Sequence, residues 1–232
     1  MMESKAPVNP STGAFEIYEV QKIAEGPFPI EIDCRYMSGG RGIIAMWHLM
    51  TFLRVEIISK GKAGEVLGIP DLNGLVHKYD TQTNEIIVDQ GYMHIGGQFH
   101  PKHICVEFLG KEVNVYYPNG HKRHYVFSRK AASYQLMEEI NENNYRKVYT
   151  YEEKQRVKKI AVYAPNGERC GWALFYYGGK KEEDPSFGVQ GPSGDCWYYS
   201  YKDMGGYYYL TEIEKEHGQT ISYEYKKVSK KS

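Results

Sequence analysis

Imidazole and thiol are the side chains of this sequence with the richest chemistry, and several fall close together. Five of the eight histidines, His94, His100, His103, His121 and His124, lie in one stretch that also holds Cys105. Imidazole and thiolate together suit zinc or another borderline metal. On a strand through Ile104, His103 and Cys105 share one face, and a hairpin at Asn119 could bring His121 and His124 near them. The spacing nevertheless matches no compact ligand motif, and no His-x-x-x-His helix is present. The expectation is therefore scattered surface and core histidines with no metal assigned. A Cys-His nucleophile built on Cys105 or Cys196 needs a specific electropositive site, and nothing in the spacing pairs either thiol with a histidine. The four cysteines, Cys34, Cys105, Cys170 and Cys196, contain no Cys-x-x-Cys and read as ordinary thiols of a cytoplasmic protein. Gly39-Gly40-Arg41-Gly42 precedes an apolar run at Ile43. A glycine loop that opens a helix can cradle phosphate on its N–H groups, but no strong strand precedes this one and no Gly-Lys-Ser/Thr follows. No Gly-x-Ser-x-Gly, His-Glu-x-x-His or paired-carboxylate motif occurs. The reading is a protein that is not an enzyme. A small metal- or thiol-dependent enzyme around His94 to His124 remains an alternative, which His100→Ala or His103→Ala would test.

The elements that would position these groups are mostly strands. From Pro29 to Tyr125 the pattern is β, with alternation at Ile30 to Cys34 and short apolar runs at Glu85 to Val88, Ile104 to Phe108 and Val113 to Tyr117. Asn119-Gly120 and Pro165-Asn166-Gly167 are hairpin tips, with positive φ expected at both residues of each Asn-Gly pair. The tail alternates and is aromatic at 197–201, 207–210 and 221–225. Three helices are expected. Phe15, Ile17, Tyr18, Val20 and Ile23 are spaced for one over Ala14 to Glu25, stopped by Gly26-Pro27. Ser128 can cap a second at about 129–144, lined by Ala131, Ala132, Leu136 and Ile140. Thr150-Tyr151-Glu152-Glu153 has capping-box spacing for a short third. One internal echo stands out: VNVYYPNG ends at Gly120 and IAVYAPNG ends at Gly167, 47 residues on. Repeats of the membrane-occupation type have similar hairpin tips but run in tandem at about half this spacing. A helix between the two copies breaks that pattern, so the echo reads as two similar hairpins. The fold expected is a mainly β, antiparallel β-sandwich with an N-terminal helix and one or two further short helices. It forms one domain over 1–232, with 1–28 as arm and helix.

Composition narrows the function. The chain has 232 residues, with 41% hydrophobic and 25% charged, an ordinary globular balance that excludes disorder and fibrous repeats. Lys plus Arg equals Asp plus Glu at 29 each, which argues against nucleic acid as the main partner. The N-terminus has no basic and apolar leader pattern, and Ile43 to Ile58 carries His48, Arg54 and Glu56, so no membrane segment is expected. Tyrosine is abundant, at 22 residues. Tyr198, Tyr199, Tyr201, Tyr207, Tyr208 and Tyr209 cannot all enter one core, because alternation sends about half outward. They are the candidate assembly-interface residues, since tyrosine offers a large contact area with a polar tip. Ionising the 22 tyrosines and discharging the 21 lysines would take the net charge from zero to about −43. An assembly built on neutral tyrosine contacts should therefore break up in strong alkali.

Val115-Tyr116-Tyr117-Pro118-Asn119-Gly120 is similar to a YYPNG segment of the cypovirus polyhedrins. Asn166-Gly167-Glu168-Arg169-Cys170-Gly171-Trp172 resembles a later DGE-x-x-GY turn of the same family, in the same order. The resemblance covers roughly 113–191; residues 29–112 share nothing with it. It implies a β-sandwich with a protruding N-terminal helix, forming trimers that pack into micrometre crystals in the cytoplasm of infected insect cells. Those crystals shield virions and dissolve in alkaline midgut. The family also implies nucleotides bound at subunit contacts, with no residue of this chain matched to them and no other cofactor. The function expected is thus structural self-assembly into a dense lattice. The alternative is a soluble β-sandwich that binds carbohydrate or protein ligands on exposed aromatics such as Trp172, Trp197 and Tyr198.

Overall fold

The computed structural model describes residues 16–37, 53–62, 64–88, 100–153, 155–178, 186–194, 196–204, 207–215 and 218–225. The Gly39 to Gly42 loop, His94 and the basic end after Tyr225 lie outside them. The sheets are mainly antiparallel, and the one helical element among the described residues is a single 3-10 turn at Pro101–His103. No described helix is long and apolar enough to cross a membrane. The chain divides into two compact units. The central unit comprises 25–30 and 48–172, and the terminal unit comprises 1–24, 31–47 and 173–232.

In the central unit, β3 (Arg54–Lys60), β4 (Glu65–Pro70), β5 (Val76–Asp80) and β6 (Glu85–Ile87) form one meander. A second runs through β7 (Cys105–Phe108), β8 (Glu112–Tyr116), β9 (Lys122–Ser128), β10 (Ser133–Ile140), β11 (Arg146–Tyr151) and β12 (Val157–Tyr163). Strand β10 joins the two. One edge pairs with β9 along its length. That pairing carries a bulge between Leu136 and Glu138, and the other edge pairs with β3 at Tyr134 and Gln135 and with β11 from Glu138 onward. The meanders face each other. Leu67, Ile69 and Tyr79 on one side and Val113, Val115 and Tyr125 on the other are all buried, and the Tyr79 hydroxyl donates to the Val106 carbonyl at 3.4 Å.

The terminal unit holds β13 (Arg169–Tyr177, which begins in the central unit), β14 (Phe187–Gln190), β15 (Cys196–Asp203), β16 (Tyr208–Glu214) and β17 (Thr220–Ser222) in sequential order. A two-stranded sheet of β1 (Glu16–Ala24) and β2 (Ile30–Met37) covers one face. The contact is close at Gly191, where an added Cβ would lie 2.2 Å from the Ile23 carbonyl oxygen.

All three expected helices are strands or turns. Residues Glu16–Ala24 form β1, in which Ile17, Glu19, Gln21 and Ile23 are more buried than Tyr18, Val20 and Lys22 between them. Period two wins there because Ile17, Val20 and Ile23 are β-branched and have a sheet to cover. The stretch 129–144 contains β10, whose backbone is hydrogen-bonded on both edges by strands distant in sequence; that tertiary pairing overrides local helix preference. Ser128 caps a turn instead: its Oγ accepts from Ala131 N at 3.3 Å and donates to Gln155 Oε1 at 2.9 Å. Thr150 and Tyr151 end β11, and Glu152 opens a tight turn closed by its ion pair with Arg156.

Removing the helix at 129–144 restores a repeat. At Tyr117–His121, Asn141–Tyr145, Ala164–Glu168 and Lys215–Gln219 the first residue's N–H donates to the fifth residue's carbonyl. In the same four turns the fourth residue's N–H donates back to the first, and that fourth residue has positive φ. Asp71–Leu75 and Glu152–Arg156 share the full pattern, the latter with Gln155 at positive φ, and Gly191–Gly194 shares the second bond. This is a type I turn followed by an αL residue in a bulge, so Gly120 and Gly167 carry positive φ while Asn119 and Asn166 do not. Taking every second connection, the αL residues Gly120, Asn144, Gly167, Gly194 and Gly218 recur after 24, 23, 27 and 24 residues, while Ala132, Gln155 and Gly178 carry positive φ in the connections between them. The 47-residue echo is two periods of a hairpin repeat whose intermediate member uses asparagine.

Candidate functional site

The charged chemistry of the central unit is turned inward. Glu139 on β10 is buried. One carboxylate oxygen accepts from Arg123 Nε at 3.0 Å and His121 Nε2 at 2.8 Å, and the other accepts from the Tyr149 hydroxyl at 2.9 Å. Burial pushes this carboxyl up, but the Arg123 charge, the His121 hydrogen bond and the Lys147 charge outweigh it and hold it far below the usual carboxylate range. Arg123 also donates to the Asp71 carbonyl and the Tyr117 hydroxyl, both at 3.2 Å, and Tyr117 donates to the Pro70 carbonyl at 2.6 Å. The cluster ties the tips of three hairpins together. Its carboxylate is fully engaged, which suits a structural staple rather than an acid-base site.

The described histidines of the His94 to His124 stretch occupy separate settings. His100 and His103 bracket the 3-10 turn with ring centroids 5.8 Å apart. His121 is held by Glu139, and His124 Nδ1 is 2.7 Å from Asn114 Oδ1. Among the described residues no three His, Cys, Asp or Glu side chains converge to hold a metal. Cys34 is buried, Cys105 and Cys170 are exposed and Cys196 is half-buried, all as free thiols. Burial and the nearby Glu214 push the Cys196 thiol up, the opposite of what a nucleophile needs.

The tyrosines alternate across the terminal unit. On β15 Trp197, Tyr199 and Tyr201 face inward, and Tyr199 and Tyr201 are only 3% and 6% exposed. Tyr198 and Ser200 face outward and are half-buried. Tyr208 and Tyr209 are half-buried, and Tyr207 is exposed just ahead of β16. The hairpin-tip residues Asn119 and Asn166 each accept the N–H two residues on through Oδ1, at 3.1 and 3.0 Å.

Sequence reasoning missed Tyr176. The register sets Tyr176, Gly188 and Tyr198 in one row across β13, β14 and β15. The two rings lie nearly parallel, 21° apart with centroids at 6.4 Å. Gly188 makes this possible: an added Cβ would sit 3.0 Å from two atoms of the Tyr198 ring, which therefore rests over the glycine backbone. The Tyr176 hydroxyl donates to Gln190 Oε1 at 2.9 Å. The Gln190 amide donates to the Gly194 carbonyl at 3.1 Å, and Glu214 follows opposite Tyr198 on β16. The result is an outward aromatic platform edged by an amide and a carboxylate. Only the alternation of the neighbouring strands signals it in the sequence. Of the three aromatics expected as stacking surfaces, Tyr198 belongs to this platform, Trp172 is half-buried and Trp197 is buried.

No known family model matches this chain, and no curated protein matches it.

Proposed function

We propose that the chain is a non-catalytic binding scaffold whose working surface is the outward face of β13–β15. The observation that carries this reading is the Tyr176–Gly188–Tyr198 row. A glycine inside a strand that needs no special φ serves here to let a phenol ring lie against the sheet. Two near-parallel rings beside a primary amide and a carboxylate offer a flat apolar surface with hydrogen-bonding edges. That combination fits a saccharide, whose ring stacks while its hydroxyls find polar partners. Titrating the protein with a panel of soluble oligosaccharides, followed by the NMR shifts of aromatic protons, tests it. Saturable shifts at Tyr176 and Tyr198, weakened at least about tenfold by Tyr198→Ala, are expected. A panel that leaves both rings unmoved overturns the saccharide reading.

A second reading is self-association, with a polyhedrin-like lattice as its strongest form. It is favoured by apolar side chains on the outer face of the central unit, where Ile58, Val76 and Ile87 are exposed, and by zero net charge. Comparing sedimentation of the untagged protein at pH 7 and pH 11 tests it. Particles that pellet at the lower pH and dissolve at the higher support it, and a monomer at both overturns it.

A further inference from the structure

The outer face of β3–β5 has a pattern that the saccharide platform does not use. Cross-strand register aligns Glu56, Gly68 and Lys78 on three successive strands. Glu56 and Lys78 are both exposed. Gly68 between them is covered by apolar atoms: a Cβ added there would meet Val76 Cγ1 at 2.9 Å and Ile58 Cδ1 at 3.4 Å. Ile58 and Val76 thus lean together over the glycine while staying 48% and 58% exposed. The face consists of an apolar centre with an acid on one flank and a base on the other.

We infer that this face is a two-fold interface between two copies of this chain, centred on Gly68 and locked by reciprocal Glu56–Lys78 pairs. The argument is charge complementarity under symmetry. A two-fold axis lying between two such faces and running along β4 carries the left flank of one copy onto the right flank of the other. Glu56 then meets the second copy's Lys78, and Lys78 meets its Glu56, so one patch complements itself twice. Ile58 and Val76 of both copies fill the middle, where apolar contact supplies affinity while the charges set register and exclude wrong pairings. A saccharide or an unrelated acidic or basic partner would satisfy only one flank. This inference rests on the self-association reading and names the surface that reading requires.

Charge reversal tests it on the full chain by sedimentation velocity. The unaltered protein is expected to dimerise. Glu56→Lys and Lys78→Glu each place like charges opposite at two positions and should weaken the dimer roughly tenfold or more. The doubly reversed protein should recover it. An equimolar mixture of the two single variants should form the mixed dimer, which also shows that both variants are folded. An unaltered protein that stays monomeric overturns both this interface and the self-association reading. Association of equal strength by the unaltered, singly reversed and doubly reversed proteins overturns this interface and leaves the broader reading standing.

Discussion

The central and terminal units use the same hairpin and both bury phenols, but among the described residues only the central one also buries an ion cluster. The central unit encloses an ion cluster, in which Glu139 is met by Arg123, His121 and Tyr149. The terminal unit encloses phenols: Tyr199 and Tyr201 pack under β1 and β2, and Tyr199 receives a 3.4 Å bond from Gln21 Nε2. Burial, with Cys34 close by, pushes both terminal phenols above the usual tyrosine range. A buried charge demands that every partner be present, because the loss of one strands the others in a medium that cannot solvate them. A buried phenol is neutral at pH 7 and asks only for a modest hydrogen bond. The two cores should therefore differ in their tolerance of substitution and in the pH at which they fail.

The largest contrast is expected at Glu139. Glu139→Gln leaves Arg123 buried and unbalanced and should cost about 3 kcal/mol or more in urea unfolding. The same carboxyl governs the acid side. Its folded pKa is depressed, so its stabilisation is complete above the ordinary carboxylate pKa of about 4.3 and is lost as pH falls towards the folded value. Glu139→Gln should flatten this acid limb, and an unchanged limb would place the acid sensitivity elsewhere. Next comes Gly191→Ala, which drives a methyl into the Ile23 carbonyl. Overpacking of this kind should cost about 1–3 kcal/mol, and near-neutral behaviour would mean that β1 does not hold its close approach to the turn. A smaller effect is expected at the tips. Gly167 has φ +85 and open space around it, so Gly167→Ala costs about 1 kcal/mol of backbone strain alone, checked by the thermal midpoint against Asn144→Gly, which should be neutral or slightly stabilising. The smallest effect at neutral pH belongs to Tyr199→Phe, about 1 kcal/mol or less. Its sign should change in alkali. A phenol with a raised folded pKa contributes fully below about pH 10 and loses that contribution as pH rises towards its folded value, whereas phenylalanine has nothing to lose. Urea unfolding at pH 7 and pH 11 should show the variant gaining on the parent, and equal loss in both would break the comparison.

This bears on the alkaline response expected from composition. Tyr125 and Tyr149 in the central unit, like Tyr199 and Tyr201, are held well above the ordinary tyrosine value by burial. These phenols ionise only as the fold opens. Dissolution of an assembly by ionisation alone would have to act through groups outside these cores, so near-UV circular dichroism separates dissociation from unfolding.

Much of the strand pattern was legible because its signals are local. PNG at Gly120 and Gly167 marks two tips, and alternation marks β2, β15 and β16. The helix expected at 129–144 failed for a nonlocal reason: Ala131, Leu136 and Ile140 have helical spacing, but β3, β9 and β11 claim the backbone of β10. That single misreading hid the repeat, because the tip between the two PNG copies is Asn-Glu-Asn-Asn and contains no glycine. The aromatic platform was half legible. Tyr198 stands out in the tail, but its partner Tyr176 and the glycine beneath it are brought beside it only by register.

The hairpin period also governs how such a chain can change length. A unit of some two dozen residues contributes two strands, so gaining or losing a whole unit returns the chain to the same end of the sheet with every later side chain on its former face. Gain or loss of one strand would instead send each later tip to the opposite end. Duplication of whole units is thus the mutation this architecture absorbs most readily, and the 27-residue interval before Gly194 shows that connections within a unit can lengthen without disturbing the count.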